Sequence, residues 1–120
     1  MLTGCFRTCG RHEDAVGIAG WPPPWFHGPS YKVLSPPRWL LEEYKANHDQ
    51  EAYTAHFNKI VLKPLDPEKV LWDLLRIRKT PILLCYEPPG EFGHRRLVAS
   101  WLEQALGFAI PEFIDYNDAM

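Results

Sequence analysis

The sequence predicts an α/β fold, with a small, mainly parallel sheet and flanking helices in a single domain over residues 1–120. Two observations support this prediction. Residues 81–84 form an unbroken apolar run, typical of a strand buried on both faces. A helical pattern of apolar residues precedes the run and another follows it. Helix, strand, helix and strand in this order over residues 66–113 imply parallel strands joined by a right-handed crossover.

The first third of the chain is irregular. Residues 1–6 are a weak strand candidate and residues 15–19 a better one. Only eight polar residues, 7–14, separate them, fewer than a usual parallel crossover needs, so this pair is not expected to follow the strand–helix–strand rule. Residues 20–37 contain six prolines, at positions 22, 23, 24, 29, 36 and 37, which exclude a long helix and a central strand.

Helix boundaries can be read from capping residues. Ser35, followed by two prolines, is predicted to cap a helix that ends near residues 47–49, and Asp49 to cap a second one. Asp66, followed by proline and glutamate, begins a third helix, and Gly107 ends a fourth. Residues 108–113 are predicted to form a final strand, confined to an edge by Pro111, and residues 115–120 a frayed end.

Composition narrows the functional classes. The chain is 46% hydrophobic, and its 13 basic and 15 acidic residues give a net charge of −2, which argues against non-specific nucleic-acid binding. It has no membrane-spanning run of about 18 apolar residues and no secretory signal pattern, so we expect no membrane association. Its three cysteines are too few for a disulfide framework and indicate the reducing cytoplasm.

The loop between the fourth helix and the strand before it is the main candidate site. This segment, residues 85–96, carries Glu87, Glu91, His94, Arg95 and Arg96. A helix N-terminus disfavours cations, yet three potential cations stand in the predicted first turn. One interpretation is that the two glutamates neutralise them or that the arginines point into solvent. The other is an anion site in which the arginines and free backbone N–H groups bind phosphate or carboxylate.

The proline-rich loop supplies a second set of candidates. Trp21, Trp25, His27 and Tyr31 either cover the core or form a stacking wall for a planar ligand. In open α/β sheets, ligands bind beyond the carboxyl ends of the strands, and both loops leave strands at that edge if the strands are parallel. We therefore expect one cleft between these residues and Glu87, His94 and Arg95. In it Glu87 orients His94 or acts with it as an acid/base pair.

Cysteine chemistry has weaker support. The protein-phosphatase loop has an arginine six positions after its cysteine, whereas the residue six positions after Cys85 is Glu91. An acid there raises the pKa of a thiol, so we interpret Cys85 as a buried strand residue rather than as a nucleophile. Cys5, Cys9 and His12 are suitable zinc ligands, but a fourth is missing. The sequence has no Walker, dinucleotide or nucleophile-elbow motif, and we expect no metal and no cofactor.

The order of several motifs resembles the bacterial family catalogued as domain of unknown function 488. The resemblance rests on Leu83-Leu84-Cys85-Tyr86-Glu87 followed by His94-Arg95. It also uses Ile18, Pro23, Trp25, Gly28, Tyr31, Leu34, Pro36, Pro37, Tyr44, Lys45, Tyr53 and residues 65–67. It implies a small intracellular α/β fold with no established activity.

Two departures from the family pattern favour binding over catalysis. Gly93 stands where the family commonly has cysteine, and Ala19-Gly20 where many members have serine–arginine. The leading hypothesis is a protein that binds a small anionic ligand, a nucleotide or phosphate ester, at residues 85–96. The alternatives are a hydrolase- or transferase-like enzyme using Glu87 and His94, and a protein-interaction module using residues 20–37. The sequence leaves the oligomeric state open.

Overall fold

Three short strands form a parallel sheet with the apolar run near residue 83 at its centre. The computed structural model describes residues 1–113. Its strands are β1 (Leu2–Cys5), β2 (Ala15–Gly17) and β3 (Ile82–Cys85), in the order β1-β3-β2. Both outer strands pair with β3 in parallel. The predicted α/β class is confirmed.

The short link between β1 and β2 is possible because the strands are short. β1 and β2 do not pair with each other, since β3 lies between them. Residues 6–14 make the connection and include a one-turn helix, α1 (Phe6–Cys9). Returning along a four-residue strand and crossing two strand spacings requires roughly 15 to 20 Å, and nine residues reach about 30 Å.

Isolated bridges extend both edges of the sheet. Thr3 on β1 bridges Glu112 in parallel, and the Thr3 carbonyl accepts a hydrogen bond of 2.7 Å from the Phe113 N–H. Gly17 on β2 similarly bridges Ser30. Of the strand predicted over residues 108–113, the structure forms only the bridge at Glu112, at an edge of the sheet. Pro111 is tolerated there because an edge position does not require its N–H. The predicted frayed end, residues 115–120, lies outside the described residues.

Four longer helices surround the sheet: α2 (Arg38–Asn47), α3 (Gln50–Phe57), α4 (Pro67–Ile77) and α5 (His94–Leu106). A 3-10 turn (Lys32–Leu34) precedes α2, and α3 continues into a π-helical turn (Asn58–Leu62). None of the helices in residues 1–113 has the length and apolarity required to cross a membrane.

The predicted acidic caps are confirmed, but the serine cap is wrong. The Asp49 carboxylate accepts a hydrogen bond from the Ala52 N–H and the Asp66 carboxylate one from the Glu68 N–H. Ser35 instead donates to the Lys32 carbonyl at 2.7 Å and closes the 3-10 turn, so α2 begins without a side-chain cap. Gly107 ends α5 at a φ of 79°, a left-handed conformation that favours glycine.

Both faces of the sheet are buried, as the run at β3 predicts. Leu83 faces one hydrophobic cluster with residues of α2 to α5, among them Phe57 and Val98. Ile82 and Leu84 face a second cluster that includes Phe26 from the proline-rich loop. That loop therefore covers one face of the sheet together with Phe6 and Cys9 of α1.

Candidate functional site

A cavity of about 420 Å³ lies beyond the carboxyl ends of β2 and β3, between the sheet and α2. We call it the edge cavity; its walls are Ala19, Gly20, Trp21, Pro36, Leu41, Lys45, Cys85, Tyr86, Glu87 and His94. This position is the usual ligand site of an open α/β sheet. A larger groove of about 620 Å³ runs between α3 and α5, but its lining has no histidine, cysteine or acid. The edge cavity is therefore the better candidate for chemistry.

The structure brings together only part of the predicted cleft. Trp21, Glu87 and His94 do line the edge cavity. Trp25 and His27 instead line a separate hollow beside α1, where the Arg11 guanidinium lies 4.6 Å from the centre of the Trp25 ring.

Tyr31 also lies away from the edge cavity. It donates a hydrogen bond of 2.7 Å to Asp73 on α4. The expectation of a single cleft is wrong for Trp25, His27 and Tyr31, because the proline-rich loop runs from one face of the sheet around its edge.

His94 is buried at the first position of α5 and held by the main chain. Its Nε2 lies 2.9 Å from the Ile18 carbonyl oxygen, which can only accept, so Nε2 carries a proton. Nδ1 is then an acceptor without a hydrogen-bond partner in residues 1–113. The hypothesis that Glu87 orients His94 is wrong, since the Ile18 carbonyl does so. Burial lowers the pKa of His94, although the bond to Ile18 and the nearby Glu87 oppose this shift.

The lowered pKa of His94 predicts a loss of stability in mild acid. The unfolded chain takes up this proton near pH 6.5 and the folded protein only at lower pH, so the contribution is complete above pH 6.5 and lost below it. The slope is at most about 1.4 kcal/mol per pH unit. We expect urea unfolding at pH 7.5, 6.5 and 5.0 to show a smaller decline for His94→Gln, whose amide can still bond Ile18, than for the wild type. Parallel declines would contradict this.

Arg95 is fully enclosed and occupied by protein groups. Its Nε donates to Glu112 Oε1 at 2.9 Å, and its Nη2 lies 2.8 Å from the same oxygen. Nη1 donates to Cys85 Sγ at 3.0 Å, and Nη2 to the Pro88 carbonyl at 3.1 Å. Burial opposes the charge, but the hydrogen bonds to Glu112 raise the pKa of Arg95 above its ordinary value.

Arg96 also turns inward. Its Nη1 donates to Thr3 Oγ1 and to the Ile110 carbonyl, each at 2.8 Å, and Thr3 in turn bonds Glu112. Neither arginine lines the edge cavity. The buried Arg95 therefore has a structural role, in contrast to its expected role in ligand binding. Arg96 also joins the start of α5 to β1, and a ligand-binding role for this partly exposed residue stays a prediction.

Cys85 lies between the buried arginine and the cavity acid. Its Sγ donates to Glu87 Oε2 at 3.0 Å and accepts from Arg95 Nη1. Burial and the negative charge of Glu87 raise the pKa of Cys85 to about 12. The thiol stays protonated at neutral pH, which agrees with the interpretation of Cys85 as a buried strand residue rather than a nucleophile.

Sequence analysis missed two cavity residues, Lys45 and Tyr86, as functional candidates. Lys45 projects from α2 and forms no ion pair with any of residues 1–113. The Tyr86 hydroxyl donates to the Trp21 carbonyl and ties the proline-rich loop to the end of β3. A lysine on an exposed helix face gives no local signal, because only the tertiary fold places it over the sheet.

The three potential zinc ligands do not meet as a site. Cys5 and Cys9 are buried beside Thr8, which lies 3.2 Å from the Cys5 sulfur. His12 is exposed, and its Nδ1 accepts a hydrogen bond from the Asp14 N–H. Within residues 1–113, no three histidine, cysteine or acidic side chains lie close enough to hold a metal ion.

Comparison with known proteins gives one match. The family model DUF488-N3a, described as the active DUF488-N3 subclade, matches residues 25–106, more than half of the 120-residue chain. The matched region contains seven of the ten walls of the edge cavity, all except Ala19, Gly20 and Trp21. Among the curated proteins and solved structures compared with the chain, none matches it.

Proposed function

We propose a function from the edge cavity, since the chain belongs to the family of domain of unknown function 488 and membership brings no established activity. The proposed function is the binding of a small anionic molecule, a nucleotide or another phosphate ester. The observation that carries it is the presence of Lys45 in the wall of a cavity at the carboxyl edge of the sheet, without an ion-pair partner in residues 1–113.

The charges around the cavity support an anion. The cavity wall carries one cation, Lys45, and one acid, Glu87; Arg95 and Arg96 lie outside the wall and contact Glu87 and Glu112. The two arginines are paired with these acids, and His94 is neutral at pH 7 because burial lowers its pKa. The surplus positive charge therefore rests on Lys45, whose ammonium is a suitable point charge for a phosphate.

The test is calorimetric titration with 5′-GMP, glucose 6-phosphate and inorganic phosphate. We expect at least one of these anions to bind, and Lys45→Met to weaken binding about tenfold or more, because a hydrogen bond to a charged group contributes about 1.5 kcal/mol or more. Lys45→Arg should retain most of the affinity. Lys79→Met, an exposed lysine outside the cavity, is the matched control. Absence of binding by all three anions, or equal binding by Lys45→Met, would reject the proposal.

A second candidate is an enzyme that uses His94 as a general base. The supporting observation is the neutral imidazole, with Nε2 donating to Ile18 and Nδ1 left as an acceptor in the cavity wall. Glu87, engaged with Cys85 and Arg95, is the neighbouring carboxylate of this candidate. Release of p-nitrophenol from p-nitrophenyl phosphate or acetate, lost in His94→Gln, would support the enzyme; no release by the wild type would reject it for these ester classes.

The third candidate, an interaction module formed by residues 20–37, has less support. Trp21 is 57% exposed but forms a wall of the edge cavity, and Phe26 packs into the core. The loop thus serves as the cover of the sheet and as one side of the cavity.

A further inference from the structure

The edge cavity has a neighbouring hollow along α2. This outer hollow has a volume of about 300 Å³ and is lined by Trp21, Arg38, Leu41, Glu42 and Lys45. Trp21, Leu41 and Lys45 belong to both spaces. The two spaces therefore adjoin at these three residues.

The outer hollow has a positive face. Arg38 and Lys45 are seven residues apart on α2, which places them on the same side of the helix and about 10 Å apart along its axis. The Arg38 guanidinium lies 5.8 Å from the centre of the Trp21 ring, and its Nε donates to Glu42 Oε1 at 3.2 Å. Two cations thus face one acid here.

The edge cavity has the opposite polarity on its inward side, meaning the part away from the outer hollow, where Glu87 and His94 line this cavity alone. Glu87 carries a carboxylate, and Nδ1 of His94 is an acceptor because Nε2 donates to Ile18. Both groups accept hydrogen bonds from a ligand and donate none. Glu87 already accepts one hydrogen bond, from the Cys85 thiol. The rest of the inner wall, from Ala19, Pro36 and Leu41, is apolar.

We infer that the ligand is a phosphate monoester whose organic end carries N–H or O–H donors, with this end inward against Glu87 and His94 and the phosphate outward between Lys45 and Arg38. The inference rests on the proposed function and adds the chemical class and orientation of the ligand. A nucleoside monophosphate and a sugar phosphate share this chemistry. Trp21 offers a ring face that favours the nucleotide.

The test compares 5′-GMP, guanosine and glucose 6-phosphate on three variants. For Arg38→Met we expect about threefold to tenfold weaker GMP binding and unchanged guanosine binding, since an exposed charge interacts weakly and only with the phosphate. Glu42→Gln should tighten GMP binding about twofold to fivefold by removing the acid beside Arg38. Glu87→Gln should weaken GMP and guanosine alike by about tenfold, because a carboxylate is the stronger acceptor.

The outcomes distinguish the inferred orientation of the ligand from the proposed binding of an anion. Arg38 and Glu42 are exposed, so their variants do not test folding; the thermal midpoint of Glu87→Gln is measured alongside its affinity. GMP binding that depends on Lys45 but is unchanged in all three variants would overturn the orientation and leave the proposed function standing. Tighter binding by Glu87→Gln would contradict the placement of the ligand's N–H or O–H donors against Glu87. If glucose 6-phosphate binds and GMP does not, the ligand is a sugar phosphate and Trp21 makes no stacking contact.

Discussion

Replacing Arg95 with methionine is expected to lower the free energy of unfolding by about 3 to 5 kcal/mol. Arg95 is fully buried and bonds Glu112, Cys85 and the Pro88 carbonyl. Removal of the guanidinium leaves the Glu112 carboxylate without its main counter-ion in a partly buried position. The loss is a large share of the roughly 5 to 15 kcal/mol that stabilises a domain.

Urea unfolding followed by circular dichroism measures this loss. Arg38→Met is the matched control, because Arg38 forms an exposed pair with Glu42 and such pairs contribute about 0 to 1 kcal/mol. The double variant Arg95→Met/Glu112→Gln should recover part of the loss, since it removes the uncompensated charge. An Arg95→Met protein as stable as the control would show that the buried pair contributes little.

Replacing Gly93 with alanine is expected to cost about 1 to 3 kcal/mol of unfolding free energy. A Cβ at this position would lie 2.7 Å from Glu87 Oε2, 2.9 Å from Arg95 Nη1 and 3.2 Å from Cys85 Sγ. Glu87 is partly exposed and can move away, but Arg95 is held by Glu112 and Pro88. The cost comes from crowding, because the backbone of Gly93 is extended, a conformation open to any residue.

Gly20→Ala provides the control for this prediction. Its added Cβ would meet Ser35 at 3.8 Å, an ordinary contact, although Gly20 also lines the edge cavity. We expect its stability to change by no more than about 1 kcal/mol in either direction. Equal urea midpoints for the two alanine variants would contradict the crowding.

The fold was predictable from the sequence at positions where interactions between neighbouring residues determine the local structure. Asp49 and Asp66 cap their helices because a side-chain oxygen next to free N–H groups needs no distant partner. The run at β3 predicted a strand buried on both faces, and all four of its residues are buried. Ser35 failed as a cap because two prolines delay the helix, and the hydroxyl meets the Lys32 carbonyl first.

The site was predictable only in part, since long-range partners decide the rest. His94 and Glu87 were found because they follow a strand beside a helix start, a local pattern. The anomaly of cations at this helix start was real, but the acid that resolves it is Glu112, 17 residues beyond Arg95 along the chain. Neither this contact nor the position of Lys45 over the sheet has a sequence signal.

The position of Glu112 far along the chain makes its bridge to Thr3 and its pairing with Arg95 a late event in synthesis. The two residues are 109 positions apart, so Arg95 has no counter-ion from Glu112 until residue 112 has left the ribosome. Before that moment, Glu87 is the acid among these contacts that the nascent chain can offer to Arg95. The contact that joins Arg95, through Glu112, to β1 therefore forms only after the segment around residue 112 is available.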